Sequence, residues 1–286
     1  MAANFVLRLI FGRVAPMPES PPIVLTIAGF DPSSGAGITA DIKTIAAQGC
    51  YGISAITAMT IQSTAGVRRV LPTDPKVLAD TLDELAGNGK VSAVHIGMLG
   101  SGKVADRVAN FLEAGGLTNV VLDPVLKSSS GTELLDKAGL EVLKGRLLII
   151  ADVITPNVDE AAALTGMEVK NPAQMEAAAR RLHEMGAKVV VVTGGHLDQA
   201  IDVLSTKGES VHTYRADRVD SPNTHGTGCA FSTAIACQLA LGQSLITAVG
   251  LAKNYVLAAI KNSYPIGRGP GPVNHMYGID GSFKKQ

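Results

Sequence analysis

The 286-residue chain is 46% hydrophobic and 17% charged, a composition that is typical of a globular protein and excludes a disordered one. Its 25 basic and 25 acidic residues give a formal net charge of zero, which argues against a nucleic-acid-binding face or attachment to an anionic membrane. Three cysteines without paired spacing (Cys50, Cys229 and Cys237) predict a reduced, intracellular protein without a structural zinc site.

The first 22 residues precede every predicted element of the fold. Their apolar run at 5–11 is interrupted by Arg8 and is too short to cross a bilayer. We therefore interpret residues 1–22 as an N-terminal extension, with Met17 as an alternative start, and residues 23–286 as a single domain.

The rest of the chain alternates strand-like and helix-like segments. Apolar, β-rich runs predict strands at 23–28, 53–61, 67–71, 93–96, 119–122, 152–155 and 187–192, and a hairpin at 203–205 and 210–214. Periodicity and capping signals predict helices at 35–49, 74–86, 101–114, 132–143, after Asn157, and at 171–185, 227–241 and 244–260. This alternation is typical of an α/β fold with a mostly parallel sheet and helices on both faces.

Glycine-rich or polar turns follow the predicted strands. They lie at 29–37, 62, 97–98, 123, 157 and 193–195. Ligands of open α/β sheets bind beyond the carboxyl ends of the strands, so these turns predict one binding site at that edge.

The segment at 35–40, GAGITA, matches the G-x-G-x-x-A pattern of dinucleotide-binding turns. However, the loop from Gly29 to Gly35 is longer than that fingerprint requires, and the second strand does not end in an acidic residue for a ribose hydroxyl. A substrate-facing loop is therefore favoured over close packing alone, and a dinucleotide turn ranks last.

A second glycine-rich turn, at 223–229, leads into a helix of small apolar residues. The chain has no G-x-x-x-x-G-K-[ST] motif, and the N–H groups of this turn at a helix N-terminus predict a different anion hole for a transferred phosphoryl group. Cys229 lies in the first helical turn, where the dipole is expected to lower a thiol pKa, so that a thiolate takes the proton of a substrate hydroxyl. The alternative is a helix capped by threonine with a buried cysteine.

Asp123, Asn157 and Glu160 fall at the ends of two strands or just beyond them. Their oxygens suit Mg²⁺, which takes few protein ligands, but Asn157 and Glu160 also fit a helix-capping pair. Taken singly, each is better explained by capping. Asp41 and Lys43 are expected on the solvated face of an early helix.

Together these segments resemble the hydroxymethylpyrimidine and phosphomethylpyrimidine kinase family of the ribokinase superfamily, from Ile23 to about Tyr277. The matching segments are LTIAGFDPSSGAGITADIK at 25–43, HIGML at 95–99, LDPV at 122–125, ITPNVDEAAALTG at 154–166, TGGH at 193–196, NTHGTGC at 223–229 and GRGPGPVNH at 267–275. The resemblance implies a ribokinase-like fold, ATP and Mg²⁺ as cofactors, and a cytoplasmic homodimer. It also implies phosphorylation of hydroxymethylpyrimidine, and then of its monophosphate, in thiamine biosynthesis.

The resemblance assigns roles to individual positions. Gln62 would hydrogen-bond the pyrimidine in a pocket lined by Gly29, Asp41, Met98 and Val125. Phosphoryl transfer would use Cys229 as the base and an anion hole formed by Gly226, Thr227 and Gly228. Mg²⁺ would bind near Asp123 and Glu160, and the nucleotide would contact Asn157, Thr193 and Gly195.

Three positions depart from the family pattern. Thr39 replaces a common Gln in the opening segment, which weakens the substrate assignment. Thr193 stands where Lys is frequent, which predicts one ATP contact fewer or its replacement by Lys127. Lys127 itself stands where an apolar residue is usual, and we interpret it as a cation near the phosphates, with a solvated side chain as the alternative.

Other functions stay open at this point. A pyridoxal kinase would bind a similar flat hydroxymethyl heterocycle, although Gln62 and the opening segment favour a pyrimidine. A non-catalytic vitamin-binding regulatory module is opposed by the intact turn at 226–229 and by the acids at 123 and 160. A nicotinamide oxidoreductase is opposed by the missing ribose-binding acid.

Overall fold

The computed structural model describes residues 20–195, 199–209 and 211–279. Residues 1–19, including Met17, and His196 of the TGGH segment lie outside the described residues. The first strand begins at Ile23, as predicted.

One nine-stranded sheet organises the described chain. Its strands are β1 (Ile23–Phe30), β2 (Tyr51–Ser63), β3 (Gly66–Pro72), β4 (Val91–Ile96), β5 (Val120–Leu122), β6 (Val153–Ile154), β7 (Val189–Gly194), β8 (Ala200–Thr206) and β9 (Val211–Ala216). Their order is β3-β2-β1-β4-β5-β6-β7-β8-β9. The strands from β2 to β7 in this order pair in parallel, whereas β3, β8 and β9 pair antiparallel. The predicted mostly parallel sheet is confirmed.

Helices connect most of the strands. They are α1 (Gly37–Ala47), α2 (Pro75–Gly87), α3 (Gly102–Gly115), α4 (Lys137–Val142), α5 (Leu148–Ile150), α6 (Val158–Thr165), α7 (Pro172–Glu184), α8 (Thr227–Ala240) and α9 (Leu245–Lys261), with a π-helical turn (Leu143–Leu147) joining α4 to α5. Across the three described ranges, no helix has the length and apolar character that a membrane crossing requires.

Alternate strand residues pack on opposite faces of the sheet. In β4, Val94 and Ile96 belong to a core formed with α2, α3, α6 and α7, whereas Ala93 belongs to a second core formed with α1, α8 and α9. Burial on both faces explains why the parallel strands are runs of Val, Ile, Leu and Ala rather than alternating sequences.

The helix predicted at 132–143 begins later than expected, at Lys137. The preceding residues instead form an isolated antiparallel bridge between Lys127 and Glu133. Asp136 starts α4, because its Oδ1 accepts the N–H of Gly139 at 2.7 Å and so caps the first turn. The prediction is therefore wrong at its N-terminal end.

Asp136 also caps the start of α3. Ser101 precedes this helix, but its side chain makes no capping hydrogen bond. The N–H of Gly102 donates to Oδ1 of Asp136 at 2.9 Å instead, which ties the start of α3 to the start of α4.

A buried ion pair joins β8 to α9. Nζ of Lys253 donates to Oδ2 of Asp202 at 2.6 Å and to the carbonyl of Ala200 at 3.0 Å, and Oδ1 of Asp202 accepts the N–H of Gly194 at 3.1 Å. Both charged residues are buried. The pair therefore fixes the base of the turn that follows β7.

We expect Lys253→Met to lower the free energy of unfolding by about 3–5 kcal/mol, because it leaves the Asp202 charge buried without a partner. Urea denaturation measures this loss. Lys253→Met combined with Asp202→Asn is expected to recover part of it, and Lys261→Met, at the exposed end of the same helix, is expected to cost less than about 0.5 kcal/mol. A Lys253→Met loss as small as that of Lys261→Met would contradict a stabilising pair.

Candidate active site

The carboxyl ends of the central strands open into a cavity of about 580 Å³. Its walls include all predicted site residues except Asp41 and Gly195, namely Gly29, Gln62, Met98, Asp123, Val125, Lys127, Asn157, Glu160, Thr193, Gly226, Thr227, Gly228 and Cys229. Residues far apart in sequence thus meet where ligands of parallel α/β folds bind.

Two helix N-termini meet in this cavity. α1 begins at Gly37 and α8 at Thr227, and neither helix has a side-chain cap on its first turn. Their N-cap residues, Ala36 and Gly226, both line the cavity. First-turn N–H groups and the positive ends of the two dipoles therefore make this wall suited to an anion.

Glycines allow these two helix starts to touch. Gly226 has a φ of +86°, and a Cβ there would lie 1.8 Å from the carbonyl oxygen of Gly35. Gly37 has a φ of +57°, and a Cβ there would lie 2.2 Å from the carbonyl oxygen of Gly29. A side chain at Gly226 would push the two loops apart, and one at Gly37 would push the start of α1 away from the end of β1.

Cys229 lies in the first turn of α8 and is partly exposed to the cavity. Burial of its thiol raises the pKa well above the ordinary value of 9.0, the charges of Asp123 and Asp41 add to the rise, and a hydrogen bond from the N–H of Gly37 opposes it. The expectation that the helix dipole lowers this pKa is wrong for the protein without ligands, because desolvation and nearby carboxylates outweigh the dipole.

Two buried carboxylates, Asp123 and Glu160, share the cavity with the thiol. Burial raises the pKa of Asp123 to about 6, against the opposing charge of His95. Burial, and then the charge of Asp123, raises the pKa of Glu160 to about 8. The two ionised groups therefore disfavour each other.

Glu160 and Asn157 form a reciprocal cap on α6. The N–H of Glu160 donates to Oδ1 of Asn157, and the N–H of Asn157 donates to Oε2 of Glu160, both at 2.9 Å. The capping role inferred from the sequence is confirmed. Asn157 also forms a parallel bridge with Thr193, which places the two expected nucleotide contacts side by side.

The carboxylates also fit a magnesium ion. No group of three or more His, Cys, Asp or Glu side chains among the described residues could hold a metal by itself. Mg²⁺, however, keeps several waters and binds proteins through one or two carboxylates together with substrate phosphates. Asp123 and Glu160 match that mode, because burial and the charge of a nearby carboxylate (Asp41 for Asp123, Asp123 for Glu160) raise the pKa of each, and a bound cation would offset both effects.

These pKa shifts predict how the stability of the metal-free protein depends on pH. The folded state holds the Glu160 proton more tightly (pKa about 8) than an ordinary glutamate (4.5). The contribution of Glu160 to the free energy of unfolding is therefore complete below pH 4.5, decreases as the pH rises towards 8, and is lost above pH 8. The contribution of Asp123 decreases in the same way between pH 3.8 and about pH 6, because its pKa is raised from 3.8 to about 6.

We expect the melting temperature in EDTA to fall between about pH 5 and 8, and Mg²⁺ to reduce the fall if it binds these carboxylates. Glu160→Gln keeps an acceptor for the N–H of Asn157 and should flatten the pH profile. Glu84→Gln, on the exposed face of α2, is the control. A Glu160→Gln profile parallel to that of the wild type would contradict the assignment.

Asp41 belongs to a buried network beneath the cavity rather than to its wall. It is fully buried, and its carboxylate accepts the hydroxyl protons of Thr26 at 2.7 Å and Thr233 at 3.0 Å. α8 packs against α1 and covers it. Asp41 lies outside the cavity walls, so its place in the pyrimidine pocket stays a prediction, whereas the alternative of a solvated position is wrong.

Sequence reasoning missed the link from this network to the cavity. Nδ1 of His95 lies 3.4 Å from Oδ2 of Asp41, and Nε2 lies 2.9 Å from Oγ of Ser232. Ser232 in turn lies 3.4 Å from Oδ2 of Asp123. The available signal was a histidine within the matching HIGML segment, at a position where a central strand otherwise carries apolar residues.

Asp31 and His225, to which sequence reasoning gave no role, join the loops before α1 and α8. Nε2 of His225 lies 3.1 Å from Oδ2 of Asp31, which also accepts the N–H groups of Gly35 and Ala36 at 3.2 and 2.9 Å. Burial raises the pKa of Asp31, but hydrogen bonds from His225, Ser33 and Ala36 outweigh it and leave the pKa below its ordinary value. Both residues stand inside matching segments, which was the signal available.

Lys127 and Gly195 lie at the outer part of the site. Lys127 is exposed at the mouth of the cavity. Gly195 lies in the exposed turn after β7, outside the cavity walls, so its contact with a nucleotide stays a prediction.

Comparison with known proteins identifies the family. Residues 31–274 match the family described as phosphomethylpyrimidine kinase. The chain is 43% identical over 272 residues to the thiamine biosynthesis bifunctional protein ThiED of Geobacter sulfurreducens, covering 94% of this chain but 55% of that protein. It is 42% identical over 263 residues to the hydroxymethylpyrimidine/phosphomethylpyrimidine kinase of Streptomyces coelicolor, covering 92% of this chain and 97% of that one.

A solved structure agrees with the ribokinase-like fold implied by the sequence. The ADP complex of Bacillus subtilis pyridoxal kinase is similar with a TM-score of 0.82 and 36% identity, covering 90% of this chain and 98% of that one. The family match spans most of the chain and includes both glycine-rich loops of the cavity. The chain belongs to the phosphomethylpyrimidine kinase family.

Proposed function

We propose that this protein transfers the γ-phosphate of ATP to the hydroxymethyl oxygen of 4-amino-5-hydroxymethyl-2-methylpyrimidine, and then phosphorylates the monophosphate to the diphosphate, in thiamine biosynthesis. The observation that carries the proposal is the meeting of two uncapped helix N-termini, a thiol and two buried carboxylates in one cavity. The curated relatives named as kinases of this kind support the choice of substrate.

Different residues of the cavity stabilise the transferred phosphoryl group, accept the proton and bind the pyrimidine. The N–H groups of the turn at Gly226, Thr227 and Gly228 stabilise the charge of the transferred group. Cys229 accepts the proton that the hydroxymethyl oxygen loses as that oxygen bonds to phosphorus and the bond between phosphorus and the ADP oxygen breaks. Gln62 hydrogen-bonds the pyrimidine, and Gly29, Met98 and Val125 surround the ring.

Asp123 and Glu160 would hold Mg²⁺, which when bound offsets the negative charge of the phosphates. Asn157, Thr193, Gly195 and Lys127 would contact the nucleotide. Because the Asp123 charge raises the pKa of Cys229, balancing that charge in the loaded enzyme favours the thiolate.

A pyridoxal kinase is the second candidate, favoured by the similarity to the Bacillus subtilis enzyme. The two candidates separate in one experiment, in which ADP release is measured with ATP, Mg²⁺ and either hydroxymethylpyrimidine, its monophosphate or pyridoxal. We expect turnover with both pyrimidines and a much lower kcat/KM with pyridoxal. Turnover with pyridoxal alone would contradict the assignment of a pyrimidine substrate. No turnover with any of the three compounds would favour a vitamin-binding module.

We further propose that the protein is a cytoplasmic homodimer. Three neighbouring apolar residues on the β2–β3 hairpin each have 42–44% of their surface exposed, namely Met59, Ile61 and Leu71. Such a patch at a sheet edge is typical of an interaction surface. Light scattering after size exclusion should give twice the chain mass, and Ile61→Lys should give the monomer mass. A monomeric wild type would contradict the proposal.

The three free cysteines are consistent with the reducing compartment that the cytoplasmic assignment requires.

A further inference from the structure

The side-chain amide of Gln62 lies between two polar neighbours in the cavity wall. One amide atom is 3.1 Å from Oγ1 of Thr60 and the other is 3.5 Å from Nε2 of His225. Amide oxygen and nitrogen have almost the same shape, so the neighbours decide which atom faces which side.

The neighbours allow only one orientation without conflict. Nε2 of His225 lies 3.1 Å from a carboxylate oxygen of Asp31, so this nitrogen carries a proton. A Gln62 NH₂ group facing His225 would set two donors against each other, whereas a carbonyl oxygen there is a second acceptor that shares the Nε2–H with Asp31. Thr60 has a single hydroxyl proton, and the carbonyl of Phe30 accepts it at 2.9 Å. Oγ1 of Thr60 is therefore free to accept from the Gln62 NH₂ group.

The His225 ring is held in place from several sides. The N–H of His225 donates to the carbonyl of Gly271, and its carbonyl accepts the N–H of Val273, so the C-terminal segment pairs with its backbone. On the ring side, a Cβ at Gly35 would lie 2.3 Å from Cδ2 of His225. Ring position, and with it the direction of the Nε2–H bond, is thus fixed by elements outside the cavity.

We propose that His225, held by Asp31, is a positioning residue that fixes the orientation of the Gln62 amide and thereby makes the site selective for an aminopyrimidine edge. The proposal rests on the proposed function, since it assigns how that substrate is recognised. In this role His225 acts through Gln62.

The selectivity follows from what the fixed amide leaves unpaired. One N–H and one carbonyl lone pair of Gln62 remain for a ligand. A ring nitrogen beside an exocyclic amino group satisfies both, as glutamine does with the corresponding edge of adenine. Pyridoxal has a ring nitrogen without an adjacent amino group, so it leaves one polar group of the partly buried Gln62 amide unpaired, which disfavours it.

A double-mutant cycle tests the proposal in the full-length enzyme with ATP and Mg²⁺. His225→Phe removes the N–H but keeps a ring, and we expect it to raise KM for hydroxymethylpyrimidine about tenfold, with KM for ATP changed less than about twofold. It should also lower the ratio of kcat/KM for hydroxymethylpyrimidine to kcat/KM for pyridoxal. His225→Gln, which keeps a donor near the position of Nε2, should restore most of both. In a Gln62→Ala background, His225→Phe should have no further effect on KM for the pyrimidine.

Equal effects of His225→Phe in the two backgrounds would overturn the proposal, since His225 would then not act through Gln62. If His225→Phe does not fold, Gly35→Ala displaces the ring and is expected to give the same rise in KM. Nitrogen-15 NMR of histidine-labelled protein, with His225 assigned by its absence in His225→Gln, should show a protonated Nε2. An unprotonated Nε2 would overturn the proposal.

Failure of the proposed function is distinguishable, because the wild type itself would then not turn over hydroxymethylpyrimidine. A wild type that turns over this substrate while His225→Phe leaves every KM unchanged would remove the role of His225 alone.

Discussion

Cys229→Ala is expected to lower kcat by about 10²–10⁴ while KM for the pyrimidine changes little, because the base acts in the transition state and not in ground-state binding. Steady-state kinetics with hydroxymethylpyrimidine and ATP measure both constants. The raised pKa of Cys229 in the free protein adds a second expectation. The thiol of the enzyme without ligands should react slowly with alkylating reagents at neutral pH.

Cys237 provides the matched control, since it lies in the same helix and is fully buried in the core. Cys237→Ala should lower the melting temperature and leave kcat within about threefold of the wild type. If Cys229→Ala keeps the wild-type kcat, Cys229 is not the base.

Gly226→Ala is expected to lower kcat by about 10²-fold or more, because the loops that form the anion hole cannot keep their positions. The new Cβ would lie 1.8 Å from the carbonyl oxygen of Gly35, and the backbone φ of +86° adds strain. Kinetics together with the melting temperature separate the loss of the site from the loss of the fold.

Gly242→Ala isolates the backbone strain from the steric clash. Gly242 follows the same helix with a φ of +81°, and a Cβ there meets no atom within 4 Å. Its replacement should cost about 1–2 kcal/mol of stability and leave kcat unchanged. A Gly226→Ala enzyme with wild-type kcat would contradict the role of the turn.

The sequence was sufficient for features that depend on local pattern. The apolar runs of the buried strands, the Pro75 start of α2 and the cap formed by Asn157 and Glu160 are each written within a few neighbouring residues. The order of turns at the strand ends was enough to place almost the whole cavity, because parallel strands end at one edge of the sheet.

Features that depend on distant segments were missed or wrong. Asp41 is buried because α8 covers it, and Thr233, one of its partners, is 192 positions away. The pKa of Cys229 is raised by burial of the thiol and then by carboxylates of other elements, neither of which the sequence of its own helix reveals. His225 and Asp31, separated by 194 positions, meet only because the loops before α1 and α8 touch.

The predicted start of α4 was wrong for one local and one distant reason. Thr132 to Leu135 has an acceptable helical composition, but the Lys127–Glu133 bridge extends this segment along the mouth of the cavity. The local signal for the true start was Asp136, a favoured N-cap residue, whose second bond to Gly102 could not be inferred from the sequence.

Phosphorus-31 NMR of the wild-type protein with ATP, Mg²⁺ and hydroxymethylpyrimidine tests the central claim most directly, because it identifies the bond that is made. We expect a phosphate monoester to appear as ADP accumulates, followed by the paired signals of a pyrimidine diphosphate. ADP accompanied only by inorganic phosphate, with the pyrimidine unchanged, would contradict the claim that the cavity transfers phosphate to the hydroxymethyl group.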